Sequence, residues 1–221
     1  MFTGKSLLHR RLIAIGDGHG CSAALDVLIR VVEPGPEDTI VTLGDSIDRG
    51  PDSRGVIEQL LALGERCNLI PLMGNHEEML LGAMESRSGL TFWMQFGGQE
   101  MLDSYGGQGG WEIIPRQHVE FLRNCRKYHE SASHIFVHAN YWPNRRMEDQ
   151  PTSALFWEIL EPERAAPHCQ NAQTAVPQPG DGSCGGRGTF ARSIAWQGVK
   201  TRPRGSRGAR ARLGRYGRKW G

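Results

Sequence analysis

The chain lacks most of the features that would place it outside the soluble globular proteins. It has no run of about 18 apolar residues, so a transmembrane helix is excluded. The opening MFTGKSLLHRR has no apolar core of signal-peptide length. Cys21, Cys67, Cys125, Cys169 and Cys184 are scattered and form no CxxC pair. That argues against a disulfide scaffold and against a thiolate zinc site. The expectation is a reduced, cytoplasmic protein with no membrane partner. Apolar residues are somewhat scarce at 38%, yet 221 residues suffice to bury a core without cross-links.

Acidic residues are missing from one end. Residues 1–181 carry 15 Lys+Arg against all 24 Asp+Glu, a net −9. Residues 182–221 carry 11 Lys+Arg and no acid, together with 10 of the 29 glycines. The chain therefore divides into an acidic globular part over 1–168 and a basic, Gly/Arg-rich tail over 169–221. Three accounts of the tail are open. It is a basic arm that binds nucleic acid or acidic partners, a disordered extension with no specific partner, or an out-of-frame translation beginning near Cys169. The abrupt loss of acids with the rise of Gly, Arg and Ala favours the third, and sequencing the gene across codons 165–185 checks it.

Within the acidic part, three short apolar runs end in glycine: RLIAI before Gly16, TIVTL before Gly44 and NLIPL before Gly74. Their length and β-branched content predict buried strands. Helical spacing lies between them. Ser22 is the expected cap of 23–32, and Ser53 the expected cap of 54–64 with Gly64 as the stop. Helices are also predicted over 76–85, 91–104, 116–127 and 153–160, and a fourth strand over 134–138. Strand–helix–strand–helix–strand is the signature of an α/β fold with parallel pairing.

The strand ends carry the chemistry. They read Gly16-Asp17-Gly18-His19-Gly20, then Gly44-Asp45-Ser46-Ile47-Asp48-Arg49-Gly50, then Gly74-Asn75-His76-Glu77, and finally His138-Ala139-Asn140. In α/β folds ligands bind at the carboxyl ends of strands, so these loops can converge. Asp, His and Asn together suit Mn²⁺, Fe or Zn²⁺ better than Ca²⁺ or Mg²⁺. A carboxylate such as Asp45 can bridge two ions, and a nearby Arg can grip phosphate oxygens in a fork. Singly, each motif has a plainer reading: a turn, a helix cap, or for His138 a core histidine. Three glycine-flanked motifs in this order, each after a strand, are hard to reach by chance.

Those motifs, GDGHG, GDSIDRG, GNHE and HAN, resemble the phosphoprotein phosphatase branch of the calcineurin-like metallophosphoesterases, above all its bacterial serine/threonine protein phosphatases. The resemblance runs over about residues 10–168. It implies an αββα two-sheet sandwich and a dinuclear metal centre, with Mn the expected metal and Fe or Zn as alternatives. Asp17 and His19 would bind the first ion, Asp45 would bridge, and Asn75 and His138 would bind the second. His76 would be the general acid, oriented by Asp48. Arg49 would hold the phosphate, and metal-bound hydroxide would be the nucleophile. The implied substrate is a phosphorylated protein or peptide. The related bis(nucleosyl) tetraphosphate hydrolases share much of this pattern but usually lack an Asp at the position of Asp48, so GDSIDRG favours a phosphoester. The family's later Gly-His-Thr motif has no counterpart here, since no histidine follows His168, and the second sheet is expected to be incomplete. Near the site of a further family arginine stands Glu158, with Arg164 more distant.

Other residues read more plainly. Phe92, Trp93 and Phe96 have the spacing of a core or cap face, with a substrate groove as the alternative. Tyr141-Trp142-Pro143 either borders the site mouth or packs a loop. Cys21 reads as a small buried residue at a helix start, and Arg145-Arg146 as a solvated surface pair.

Overall fold

The computed structural model describes residues 10–132 and 134–159. His168, Cys169, Arg164 and the basic tail, with the readings attached to them, lie outside the described residues.

Three four-residue strands, β1 (Leu12–Ile15), β2 (Thr39–Thr42) and β3 (Asn68–Pro71), form a parallel sheet in the order β1-β2-β3. Ile13 lies opposite Ile40, and Ile40 opposite Leu69. The crossovers are α1 (Ser22–Val32) and α2 (Ser53–Gly64). Parallel strands need such crossovers, and the sheet's two faces are apolar because both are meant to be covered. On one face Ile13, Ile15, Ile40 and Leu69 pack with Leu25, Val56, Leu60 and Leu63 of the two helices. On the other, Val41, Leu43, Ile70 and Leu72 pack with Phe136.

Helix α3 (Asn75–Glu85) leaves the end of β3 and opens a helical region: α4 (Arg87–Met94), α5 (Gly98–Ser104) and α6 (Arg116–Arg123). Its core joins Ile47 and Ile57 to Met79, Leu80, Trp93, Met101 and Leu122. Next comes an antiparallel pair of two-residue strands, β4 (His129–Glu130) and β5 (Ile135–Phe136), and then the short helix α7 (Thr152–Trp157). Among the described residues the second sheet is thus small. One consequence is visible at β1, the edge strand, where Leu12 is 39% exposed and Ala14 is exposed too.

Several local expectations are corrected. Ser22 does not cap α1; it is the first helical residue, and its hydroxyl donates to Asp52 Oδ2 at 2.6 Å. Ser53 does not cap α2 either. Asp52 does, accepting from the Gly55 N–H at 2.8 Å, because its carboxylate reaches the first turn while the Ser53 hydroxyl turns inward to the Asp48 N–H. Gly64 remains helical rather than stopping the helix. The predicted helix over 91–104 is two helices, broken where Gly97 takes the left-handed conformation at φ +105°. The helix at 116–127 ends at Arg123, the strand at 134–138 is only Ile135–Phe136, and β4 was not anticipated. Cys21 is exposed rather than buried.

Candidate active site

The loops leaving β1, β2 and β3 are stitched together by backbone. The Gly18 and His19 N–H groups donate to the Asp45 carbonyl at 3.0 and 2.8 Å, and the Gly20 N–H donates to that of Ser46 at 2.9 Å. Buried Glu77 completes the seam. Its carboxylate accepts the N–H groups of Asp45 (2.9 Å), Ser46 (2.8 Å) and Gly74 (2.8 Å). Glu77, given no role in the sequence reading, is the clamp between the second and third loops. Its place three residues after Gly74, the capping-box position of α3, is the signal that points to it.

The backbone here is tightly wound. His19, Asp45, Asp48 and Arg49 all have left-handed φ, from +37° to +68°. Such conformations cost about 1 kcal/mol or more each for residues with a Cβ, and they cluster at functional sites. Gly44, at φ +97°, has no room for a side chain: a Cβ there would lie 2.6 Å from the Gly74 nitrogen and 2.8 Å from His138 Nδ1. The close approach of the second and third loops to His138 therefore depends on it.

Asp45 is the centre. Its Oδ2 lies 3.6 Å from His19 Nε2 and 4.0 Å from His76 Nε2, and its Oδ1 lies 3.5 Å from His138 Nε2. The facing nitrogens of His19 and His138 are lone pairs, because each ring donates its other N–H to a carbonyl. His19 Nδ1 donates to Ile47 O at 3.2 Å, and His138 Nδ1 donates to Leu43 O at 2.8 Å. The Asn75 amide faces His138 Nε2 at 3.1 Å. With its nitrogen on that side it donates to His138 and to both Asp45 oxygens; with its oxygen there, only acceptors meet. The Asp45 oxygens and the Nε2 atoms of His19 and His138 thus converge, with the Asn75 amide beside them, a set of donors to a metal that a divalent cation would satisfy. Two buried atoms add to this, Asp17 Oδ1 and His76 Nε2, which have no hydrogen-bond partner. His19, Asp45 and His76 also form a cluster of potential ligand atoms within 4.8 Å of one another. The mixed oxygen and nitrogen donors fit Mn²⁺, Fe or Zn²⁺.

Electrostatics point the same way. Burial, with Glu77 adding its charge, pushes the Asp45 carboxyl up to about 6, against the pull of His138 and His76. Burial also lowers His19, which favours the neutral form that can bind a metal, and lowers His76 against the pull of Asp45, which makes its charged form a readier proton donor. Beside them, His76 Nδ1 donates to Asp48 Oδ2 at 2.8 Å, with both side chains fully buried. Burial raises Asp48 to about 8, and a hydrogen bond from Trp93 opposes the rise. Arg49 is exposed at the mouth, its Nη1 3.2 Å from His19 Nε2.

All eight residues singled out from sequence, Asp17, His19, Asp45, Asp48, Arg49, Asn75, His76 and His138, thus stand on the clustered loops. Others fall elsewhere. Glu158 accepts from the Trp142 indole at 2.9 Å, and Arg145 stacks over the Trp142 ring at 4.7 Å. Tyr141 is buried in the core around β5. Phe92 is 43% exposed, whereas Trp93 is buried.

A parallel sheet whose loops gather Asp, His and Asn around a shared carboxylate defines a metal-dependent phosphoesterase class of site. The calcineurin-like phosphoesterase family model matches residues 10–192, and the chain belongs to that family. Serine/threonine-protein phosphatase 1 of Salmonella typhimurium is 34% identical over 153 residues, 67% of this chain and 63% of that protein. Serine/threonine-protein phosphatase 2 of the same organism is 36% identical over 145 residues, 62% of each. A symmetrical bis(5'-nucleosyl)-tetraphosphatase of Acidovorax sp. is 38% identical over 73 residues, 33% of this chain and 25% of that protein. The chain therefore spans less than two thirds of the length of each of these relatives.

Proposed function

We propose that this chain is a serine/threonine protein phosphatase whose site holds two divalent ions. The observation that carries the reading is the buried Asp48–His76 pair beside the Asp45 cluster. Asp17 and His19 would hold one ion, Asn75 and His138 the other, with Asp45 shared. When bound, such ions polarise the phosphoryl group and make a water acidic enough to attack at neutral pH.

The chain's own groups do the rest. Arg49, the exposed cation at the mouth, grips non-bridging phosphate oxygens and sets the phosphate in line. In its charged form, with a proton on each ring nitrogen, His76 delivers the one on Nε2 to the departing serine or threonine oxygen, a poor leaving group that needs one, and is left neutral. Its Nδ1–H stays on Asp48 throughout, which keeps the ring's other nitrogen facing the site.

Pyrophosphate hydrolysis of a dinucleoside tetraphosphate is the second reading, favoured by the 38% identity to the tetraphosphatase over 73 residues. The Asp at position 48 and the longer match to the two named phosphatases support the first. Assay of the chain with Mn²⁺ on a phosphoserine peptide and on diadenosine tetraphosphate, each beside an EDTA control, separates them. Metal-dependent phosphate release from the peptide is expected. Turnover of the dinucleotide alone would overturn the proposal.

A further inference from the structure

Trp93 lies near the end of α4, with 0% of its surface exposed. A buried indole needs an acceptor for its N–H. Here the acceptor is the carboxylate that holds His76. Nε1–H lies 3.0 Å from Asp48 Oδ2 and 3.1 Å from Oδ1, astride the two oxygens. Asp48 Oδ2 also takes the His76 Nδ1–H at 2.8 Å, and the Asp48 N–H donates to Ser53 Oγ at 2.9 Å. His76 alone would leave the carboxylate free to turn about its Cβ–Cγ bond. A second donor placed across both oxygens fixes its plane.

The indole is itself held. A Cβ on Gly98 would lie 2.7 Å from Trp93 Cδ2 and 2.8 Å from Cε2, so the start of α5 presses on the ring face. The preceding Gly97 meets the Arg49 backbone, whose N–H donates to the Gly97 carbonyl at 3.4 Å. The α4–α5 junction therefore contacts both the indole and the phosphate-binding loop.

We infer that Trp93 is a positioning residue: its indole N–H, seated by Gly98, fixes the Asp48 carboxylate so that His76 presents Nε2 to the leaving-group oxygen. This rests on the reading of His76 as general acid and deepens it. A residue that only filled the core would be replaced by Phe at little catalytic cost. Trp93 instead supplies a proton that Phe lacks.

The test compares Trp93→Phe and His76→Asn on phenyl phosphate, a poor leaving group, and p-nitrophenyl phosphate, a good one, both with Mn²⁺. For Trp93→Phe, kcat should fall about tenfold on phenyl phosphate and about twofold on p-nitrophenyl phosphate, with KM little changed. His76→Asn should show the same bias more strongly. If His76→Asn is biased and Trp93→Phe is not, Trp93 is core filling and the inference falls while the general acid stands. If His76→Asn shows no bias, the reading beneath falls and the inference with it. A second measurement needs no Trp93 variant. With indole-¹⁵N tryptophan, one of the six indole N–H signals should be protected from exchange and should shift in Asp48→Asn. No shifted signal would overturn the inference.

Discussion

At the scale of single residues the site is a balance of buried groups of one sign. Asp45 and Glu77 are both buried, and Glu77 adds to the rise of Asp45. Asp45→Asn keeps an acceptor for the His76 backbone N–H but removes the shared anion. Turnover of p-nitrophenyl phosphate with Mn²⁺ should fall by about a hundredfold or more. Metal content should fall with it, measured by elemental analysis after desalting. His76→Asn should differ: turnover should drop while metal content stays, and stripped metal would refute the general-acid role. The clustering of the eight positions was legible in the sequence because seven sit in glycine-flanked loops after strands and His138 follows a fourth apolar run. Glu77, Ser53 and Trp93 were not. Their roles arise only when α2, α3 and α4 pack against the second loop, and periodicity alone marks them as helix starts and core.

Among the elements, the existence of strands and helices was legible and their ends were not. Capping shows why. Two serines with good cap chemistry lost that place to Asp52 and to contacts made across the fold. The same kind of long-range tie governs the edge strand. Arg11, just before β1, donates to the Val32 and Glu33 carbonyls at the end of α1 at 3.0 and 3.1 Å, and to both oxygens of Asp38 just before β2. It therefore satisfies orphan carbonyls of α1 and joins three elements. The Arg11 guanidinium, helped by the Gly35 N–H, holds the Asp38 carboxyl well below the ordinary carboxylate range. A depressed carboxylate contributes stability that is complete above its unfolded pKa of about 4 and is lost as pH falls toward its folded value. Asp38→Asn should thus be less stable than the parent at pH 7, with the gap closing below about pH 4. Urea unfolding across that range measures it, and a gap independent of pH would show that the tie is not ionic.

For the whole molecule, the stability of the fold and the occupation of the site are one question. Residues 1–181 carry a net −9, and the buried charged side chains among the described residues are Asp38, Asp45, Asp48 and Glu77 together with histidines. Only Asp38 has an arginine bound to it; the other three gather at the strand ends, where desolvation opposes the charge of Asp45 and Asp48. Bound cations offset that cost, so divalent metal is expected to act as a folding ligand as well as a catalyst. At a free concentration a hundred times its dissociation constant, one ion stabilises the native state by about 2.7 kcal/mol. For a chain of this size that corresponds to a rise in Tm of roughly 5–10 °C. Thermal unfolding followed by circular dichroism, with Mn²⁺ and with EDTA, should show such a shift for the parent and almost none for Asp45→Asn. In EDTA the order should reverse, Asp45→Asn unfolding at or above the parent's temperature, because a buried carboxylate with no cation beside it has been replaced by a neutral amide. That reversal distinguishes a site built at the expense of stability from a substitution that merely damages the core, which would lower Tm under both conditions.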